Sequence, residues 1–159
     1  MDFTIRKAKK KDMLHVHQLI KELAEFEKEP EAVEITVEDL EKDGFGEHPA
    51  FFCFVAEANS KIEGIALGYN RYSTWKGKAI HLEDLIVREK IRGAGLGSAL
   101  FDEIIKHGHK ENVKRIVWDV LDWNEPAITF YKKKGANIME DWRVVHLNEK
   151  GIKNYISKL

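Results

Sequence analysis

The segment Arg92–Ser98 holds the residues best suited to bind an anionic group. It reads Arg-Gly-Ala-Gly-Leu-Gly-Ser, and apolar residues recur at helical spacing from Leu96 to Ile105. Glycine lets main-chain N–H groups converge on an anion, and the first turn of a helix adds about half an elementary positive charge. The segment is therefore expected to turn from a strand into a helix and to cradle a pyrophosphate.

Three other phosphate-binding loops match this segment less well. A P-loop requires Gly-Lys-Ser/Thr, whereas Gly97 is followed by Ser98 and Ala99. A dinucleotide fingerprint requires Gly-x-Gly-x-x-Gly, and a kinase glycine-rich loop joins two strands without a helix. A flexible turn with no ligand stays as the alternative. The nearby cations Arg88 and Lys90 would suit a ligand with several phosphates, although plain surface charges would look the same.

Two adjacent carboxylates, Glu83 and Asp84, lie just before this loop. Apolar residues alternate with polar ones from Ile80 to Leu82, the alternation slips by one residue at the acid pair, and it resumes at Leu85. Such a slip in a two-residue period predicts a β-bulge, and bulges often turn side chains toward active sites.

These motifs resemble those of the GNAT superfamily of acetyl-coenzyme A-dependent N-acetyltransferases. The superfamily motif Arg/Gln-x-x-Gly-x-Gly/Ala corresponds to the stretch beginning at Arg92, and a second signature corresponds to Asn124–Ala136. Within the superfamily the chain is most similar to the spermidine/spermine N-acetyltransferases and their thialysine-acetylating relatives. The segments that carry this closer likeness, which extends to about Trp142, are Lys21–Ala24, Asp43–Pro49, Leu82–Asp84 and Trp123–Pro126.

The resemblance implies a role for each matching residue. Glu83 would accept the acceptor's proton, Asp84 would bind the acceptor, and Tyr131 would protonate the departing thiolate. The pantetheine arm of acetyl-CoA would add like a strand beside the bulged one. Glu27 and Trp75 are further expected acceptor-binding residues, and the expected coenzyme-binding residues are Leu85, Val87, Arg92, Gly93, Ala94, Gly95, Leu96, Gly97, Ser98, Asn124 and Tyr131.

Elementary chemistry agrees with these roles. An aliphatic ammonium with a pKa of about 10 has no lone pair for attack, so a site must bind the cation and then remove its proton. Carboxylates suit both tasks, and a phenol with a pKa of about 10 can protonate a thiolate. We therefore expect N-acetylation of a small aliphatic amine, namely a diamine, a polyamine or a lysine-like amino acid.

Two alternatives stay open, a protein or peptide N-acetyltransferase and a non-catalytic acetyl-CoA-binding module. One departure from the polyamine group also affects the acceptor. Ser73 stands where that group has an acidic residue in a Tyr-Asp-Pro-Trp stretch, which weakens the expectation for long polyamines.

The elements that must position these residues are of mixed α and β type. Strands are predicted from Phe3 to Arg6, across a hairpin turning at Asn59-Ser60, through the bulge, and at Ile116–Val120 and Trp142–Leu147. Helices are predicted after Asp12 and Thr36, after the glycine loop, and from Glu125 to Lys134. The GNAT resemblance implies a twisted, mostly antiparallel sheet of six to seven strands, splayed at the bulge and flanked by helices.

Composition limits the class of protein. The 159 residues, 43% hydrophobic and 33% charged, predict one globular domain over 1–159. The net charge of −1 argues against a non-specific nucleic-acid binder. It conceals eleven acidic residues and two lysines from Glu22 to Glu47, a local charge of −9.

Further expectations concern the cysteine, the location of the chain, metal ions and the oligomeric state. A lone cysteine, Cys53, in an apolar run predicts a buried, inert thiol. Without a membrane-spanning run or a signal peptide the chain is expected to be cytoplasmic and not membrane-bound. No metal is expected, because the histidine pairs His15/His17 and His107/His109 would point about 200° apart on a helix. The resemblance also implies a homodimer with an interface that includes the region after Trp142.

Overall fold

A five-stranded sheet forms the centre of the first of two compact units in the computed structural model, which describes residues 1–159. The units are Met1–Asp119 and Val120–Leu159. The first contains two short 3₁₀ helices, Lys10–Asp12 and Glu89–Ile91, with strands β1 Phe3–Lys7, β2 Phe52–Ala58, β3 Lys61–Ser73, β4 Gly77–Val87 and β5 Arg115–Val117, and helices α1 Met13–Phe26, α2 Val37–Phe45 and α3 Leu96–Lys110. The second contains α4 Glu125–Lys133 and α5 Glu149–Ile156.

The strands lie in sequence order, β1 to β5, and only the β4–β5 pair is parallel. The mostly antiparallel α/β fold is thus confirmed. The predicted count of six to seven strands is too high. Strand β5 ends at Val117, so the alternation up to Val120 overstated its length.

The last predicted strand, Trp142–Leu147, is wrong. This stretch has no strand partner, and its valines are largely exposed, at 64% for Val144 and 88% for Val145. Alternating residues form a strand only where a neighbour supplies the ladder hydrogen bonds. Helix α5 follows instead, and its signal was present in the sequence: Asn148 caps it through the Gly151 N–H at 2.8 Å.

The β2–β3 hairpin confirms the predicted turn. Asn59 and Ser60 have φ values of 51° and 58°, as a two-residue type I′ turn requires. Helix α1 packs on the sheet through Met13, Val16 and Leu19, all fully buried.

The predicted bulge is confirmed and lies at the acid pair. Leu67 on β3 pairs with Asp84, and the next residue, Gly68, pairs with Leu82. Glu83 is therefore the extra residue of the bulge. Gly68 also allows the close approach of the strands here, because an added Cβ would lie 3.0 Å from the His81 carbonyl oxygen.

The two predicted helix starts have different chemistry. The Thr36 hydroxyl accepts the Asp39 N–H at 3.1 Å and the Asp39 carboxylate accepts the Thr36 N–H at 2.8 Å, which is the capping box that the sequence predicts. Asp12 precedes α1 but does not bond its first turn. Its carboxylate accepts the Lys9 N–H and the Arg6 guanidinium, both at 2.7 Å, and the arginine holds its pKa below the usual value.

The second unit has a capped helix at its start. The Asn124 side chain accepts the Ala127 N–H at 3.4 Å, and Gly135, with a φ of 87°, follows the last turn as the sequence predicts. None of the helices in residues 1–159 has the length and apolar character needed to cross a bilayer.

Candidate active site

Three carboxylates influence one another at the bulge. Glu83 is the bulged residue, Asp84 follows it on β4, and Glu27 is the residue at which α1 ends. Burial, with added repulsion from Glu83 and Glu27, raises the pKa of Asp84 to about 7. Burial and the charge of Glu83 also raise the pKa of Glu27. A bound cation would relieve this repulsion, so the cluster is suited to an ammonium group.

The His81 ring lies beside Glu83, and Arg71 in turn lies beside His81. His81 is buried, its Nε2 lies 3.4 Å from the Glu83 carboxylate, and its ring stacks on Tyr69 with centroids 5.0 Å apart. Arg71 Nη1 lies 3.4 Å from His81 Nδ1. Burial and the charge of Glu83 raise the pKa of Tyr69.

Beyond the bulge, β4 has no strand partner on one side, because β5 pairs only with Ala79–His81. The Arg88 N–H bonds the Glu63 carbonyl at 2.9 Å, and bonded pairs alternate along an antiparallel ladder. The main-chain groups of Leu85 and Val87 are therefore directed away from β3. The Val87 carbonyl already accepts a hydrogen bond from Arg92 Nε at 2.9 Å. At Val87, the main-chain N–H is therefore the group left for an incoming chain.

The glycine loop has the conformation that an anion cradle requires. Gly93 and Gly95 have φ values of 86° and 90°, and a Cβ added to either would meet nothing within 4 Å. Gly95 takes the capping position of α3 without a side-chain cap, and no acidic residue lies in the first turn. The N–H groups of Leu96, Gly97 and Ser98 thus precede the first helical bond, which Ala99 donates to Gly95. These residues, with exposed Ala94, fit a pyrophosphate.

The cations near the loop are not equivalent. Arg88 is engaged inside the protein: it bonds Glu22 at 3.2 Å, Glu63 at 3.1 Å and the Ile62 carbonyl at 3.0 Å. A phosphate-binding role for Arg88 is therefore not supported. Arg92 is exposed, and its guanidinium lies 5.4 Å from the centre of the Phe26 ring.

Ser73, which stands where the polyamine group has an acidic residue, organises the β3–β4 turn. This residue is buried, and its hydroxyl accepts the N–H groups of Trp75 and Lys76 at 3.3 and 3.1 Å and the Arg115 guanidinium at 2.8 Å. The position organises the turn that carries Trp75, which is 78% exposed. An aspartate would make the same turn bonds, so the serine says little about the length of the acceptor.

The second unit contains the remaining predicted residues. Asn124 caps α4, and Tyr131 lies in the last turn of that helix, half-buried, with the centre of its ring 5.4 Å from that of Phe130.

Several residues of the site were not predicted. His81 could have been found, because it lies two residues before Glu83 and so on the same face of β4. Arg71 and Arg115 could not, because their contacts depend on the pairing register of the strands.

Comparison with known proteins adds to this geometry. The acetyltransferase (GNAT) family model matches residues 14–136. The chain is 36% identical to the thialysine N-epsilon-acetyltransferase of Bos taurus, with 97% of each chain covered. It is 33% identical to the human spermidine/spermine N(1)-acetyltransferase-like protein 1, covering 92% of this chain and 22% of that protein.

Among solved structures, an integron cassette protein from V. cholerae superposes with a TM-score of 0.81 at 23% identity, covering 100% and 99% of the two chains, which confirms the fold. The chain therefore belongs to the acetyltransferase (GNAT) family and is an N-acetyltransferase.

Proposed function

We propose that the enzyme transfers the acetyl group of acetyl-CoA directly to the terminal amine of a small aliphatic molecule, a diamine, a polyamine or a lysine-like amino acid. The observation that carries this proposal is the group of three carboxylates, Glu27, Glu83 and Asp84, with the pKa of Asp84 raised to about 7. Burial is the larger cause of both raised pKa values, repulsion between the acids adds to it, and a bound cation would offset both costs. The thialysine acceptor named for the bovine relative is an amine of this class.

In this proposal the acceptor's ammonium group binds Glu27 and Asp84. Glu83 takes its proton, directly or through a water molecule, and so frees the nitrogen lone pair. The nitrogen attacks the thioester carbonyl, the new N–C bond replaces the C–S bond, and Tyr131 donates its phenolic proton to the thiolate. The products are the N-acetyl amine and free coenzyme A.

Acetyl-CoA supplies the activated acetyl group, and the residues of this chain fit its shape. The N–H groups at Gly93–Ser98, with Arg92, would hold the pyrophosphate. Main-chain groups of Leu85 and the Val87 N–H would bond the pantetheine arm, and Asn124 and Tyr131 are proposed to bind the coenzyme as the resemblance implies.

The test is a thiol-release assay with acetyl-CoA and a panel of amines. We expect turnover with diamines, lysine and thialysine, and weak or no turnover with basic peptides and free protein N-termini. Turnover with peptides alone would favour the protein acetyltransferase. Binding of acetyl-CoA without turnover of any acceptor would indicate a non-catalytic module, and failure to bind acetyl-CoA would overturn the proposal.

We also propose that the enzyme works as a homodimer. Apolar side chains of its C-terminal region are largely exposed, including Trp142 at 66%, Val145 at 88% and Tyr155 at 62%. Exposed apolar groups at this density are typical of a surface that another chain covers. Sedimentation at micromolar concentration should give twice the chain mass of 18.4 kDa, and a single 18.4 kDa species would contradict the proposal.

A further inference from the structure

His81 is a buried polar residue between two buried apolar residues of β4, Ile80 and Leu82. Its side chain is 10% exposed, whereas that of Glu83, two residues on, is 52% exposed. Tyr69, its direct partner across the β3–β4 pair, covers one face of the ring. A phenylalanine ring could also stack on Tyr69 at this position, so stacking alone does not explain the two ring nitrogens of His81.

The neighbours of the two nitrogens determine which one carries the proton. Arg71 Nη1 lies 3.4 Å from Nδ1, and a guanidinium only donates hydrogen bonds. Nδ1 must therefore accept, which places the proton of the neutral ring on Nε2. Nε2 is the atom that lies 3.4 Å from Glu83 Oε2. The chain of donors runs from Arg71 through His81 to the carboxylate.

We propose that His81 is a positioning residue for Glu83, with Arg71 fixing its tautomer, so that the Nε2–H group holds the carboxylate in the orientation that accepts the acceptor's proton. This proposal rests on the proposed role of Glu83. Glu83, the extra residue of the bulge, has a largely exposed side chain, and His81 Nε2 lies 3.4 Å from its carboxylate. A small closure of the 3.4 Å contact on acceptor binding would make it a hydrogen bond.

The charged and titratable groups around this chain are few and can be named. Tyr69 and Arg71 face it from β3, Glu83 and Asp84 come from β4, Asp119 acts on Tyr69 from beyond β5, and the charge of Glu83 acts on Asp84 and on Glu27, which follows the last residue of α1. Loss of the donor should therefore change the pH profile of kcat/KM, which a purely structural role would leave unchanged.

The kinetic test compares His81→Phe with His81→Gln. Phenylalanine keeps the stacking on Tyr69 but removes the donor, and we expect kcat to fall about ten- to a hundredfold with the amine KM little changed. Glutamine places an N–H near the position of Nε2 and should restore most of the activity and the pH profile. His109→Gln, at an exposed position of α3, is the matched control and should behave as the unmodified enzyme.

The second readout does not depend on turnover. In ¹⁵N-histidine-labelled enzyme at a pH high enough to give the neutral ring, the His81 resonances, assigned by their loss in His81→Gln, should show the tautomer protonated at Nε2. Arg71→Met, at an exposed position, should increase the population protonated at Nδ1 and lower kcat. Thermal unfolding of each variant separates these effects from misfolding.

The possible results distinguish failure of the positioning role of His81 from failure of the proposed function. Wild-type kcat and pH profile in His81→Phe, or an Nδ1-protonated ring in the unmodified enzyme, would overturn the proposal. If no amine is acetylated but the Nε2 tautomer is found, the proposed function has failed and the positioning role fails with it. The contacts from Arg71 through His81 to Glu83 would then exist without that role. If amines are acetylated and the tautomer is wrong, the positioning role alone fails.

Discussion

Tyr131 is one of the two side chains proposed to carry the proton transfers, with Glu83, and its role can be tested on its own. Removing the phenolic hydroxyl by Tyr131→Phe should lower kcat about a hundredfold, because the thiolate would leave without an acid, and should leave acetyl-CoA affinity unchanged. Stopped-flow thiol release and isothermal titration measure the two quantities. An unchanged kcat would remove Tyr131 from the mechanism.

Asp84 links the site to the stability of the protein. Its pKa is about 7 in the folded chain against a usual value of 3.8, so the folded state binds more protons between these values. Its contribution to stability therefore falls as the pH rises from about 4 to about 7. Asp84→Asn should be more stable than the unmodified enzyme at pH 8, by at most a few kcal/mol at about 1.4 kcal/mol per pKa unit. The gain should shrink toward pH 4.

Urea unfolding at pH 5 and pH 8 measures this gain, and Asp122→Asn, at an exposed position, is the control. An equal gain at both pH values would mean that Asp84 is ionised in the folded protein. The cost that Asp84 imposes is the expected counterpart of a cation site, since a bound ammonium removes it.

Among individual residues, the sequence predicted those that lie in local motifs. The glycine spacing and the slip at Glu83 depend only on neighbours along the chain, and both survive in the structure. The engagement of Arg88 with Glu22 and Glu63 depends on contacts between distant segments, so its charge alone was misleading.

Among the elements, the β3–β4 turn carries Trp75, which is expected to bind the acceptor. Ser73→Ala removes the acceptor of three hydrogen bonds beneath Trp75, and we expect the amine KM to rise up to about fivefold, as the loss of about 1 kcal/mol implies. Ser73→Asp keeps those bonds and should leave the KM for both diamines and spermidine unchanged. Steady-state kinetics at saturating acetyl-CoA test both, and a selective gain for spermidine in Ser73→Asp would show that the side chain faces the acceptor after all.

Elements were predictable where the local pattern and the available partner agreed. The capping box at Thr36 and the Asn59-Ser60 turn are fixed by chemistry within four residues. Trp142–Leu147 has the alternation of a strand but no partner, and Asn148 then begins a helix. A strand requires a neighbour that periodicity does not reveal.

At the scale of the whole molecule, the acidic segment Glu22–Glu47 is more than a solvated surface. Glu22 pairs with Arg88, Asp39 caps α2, and Glu27 joins the carboxylates at the bulge. We propose that the remaining charge attracts the cationic acceptor, an attraction that screening by salt would reduce.

The amine KM should therefore rise with salt concentration for a dicationic acceptor and change little for a monocationic one, with kcat constant. Initial rates from low to high potassium chloride at saturating acetyl-CoA would measure this. Equal salt dependence for the two acceptors would limit the segment to a structural role.

The unpaired side of β4 beyond the bulge has a cost as well as a use. A row of free main-chain groups can recruit a strand from any chain, including a second copy that has begun to unfold. Arg92 closes part of this row through the Val87 carbonyl and holds a positive charge beside it. We therefore expect Arg92, proposed to bind the coenzyme, to guard this edge as well, so that its replacement would raise the tendency of the purified protein to aggregate.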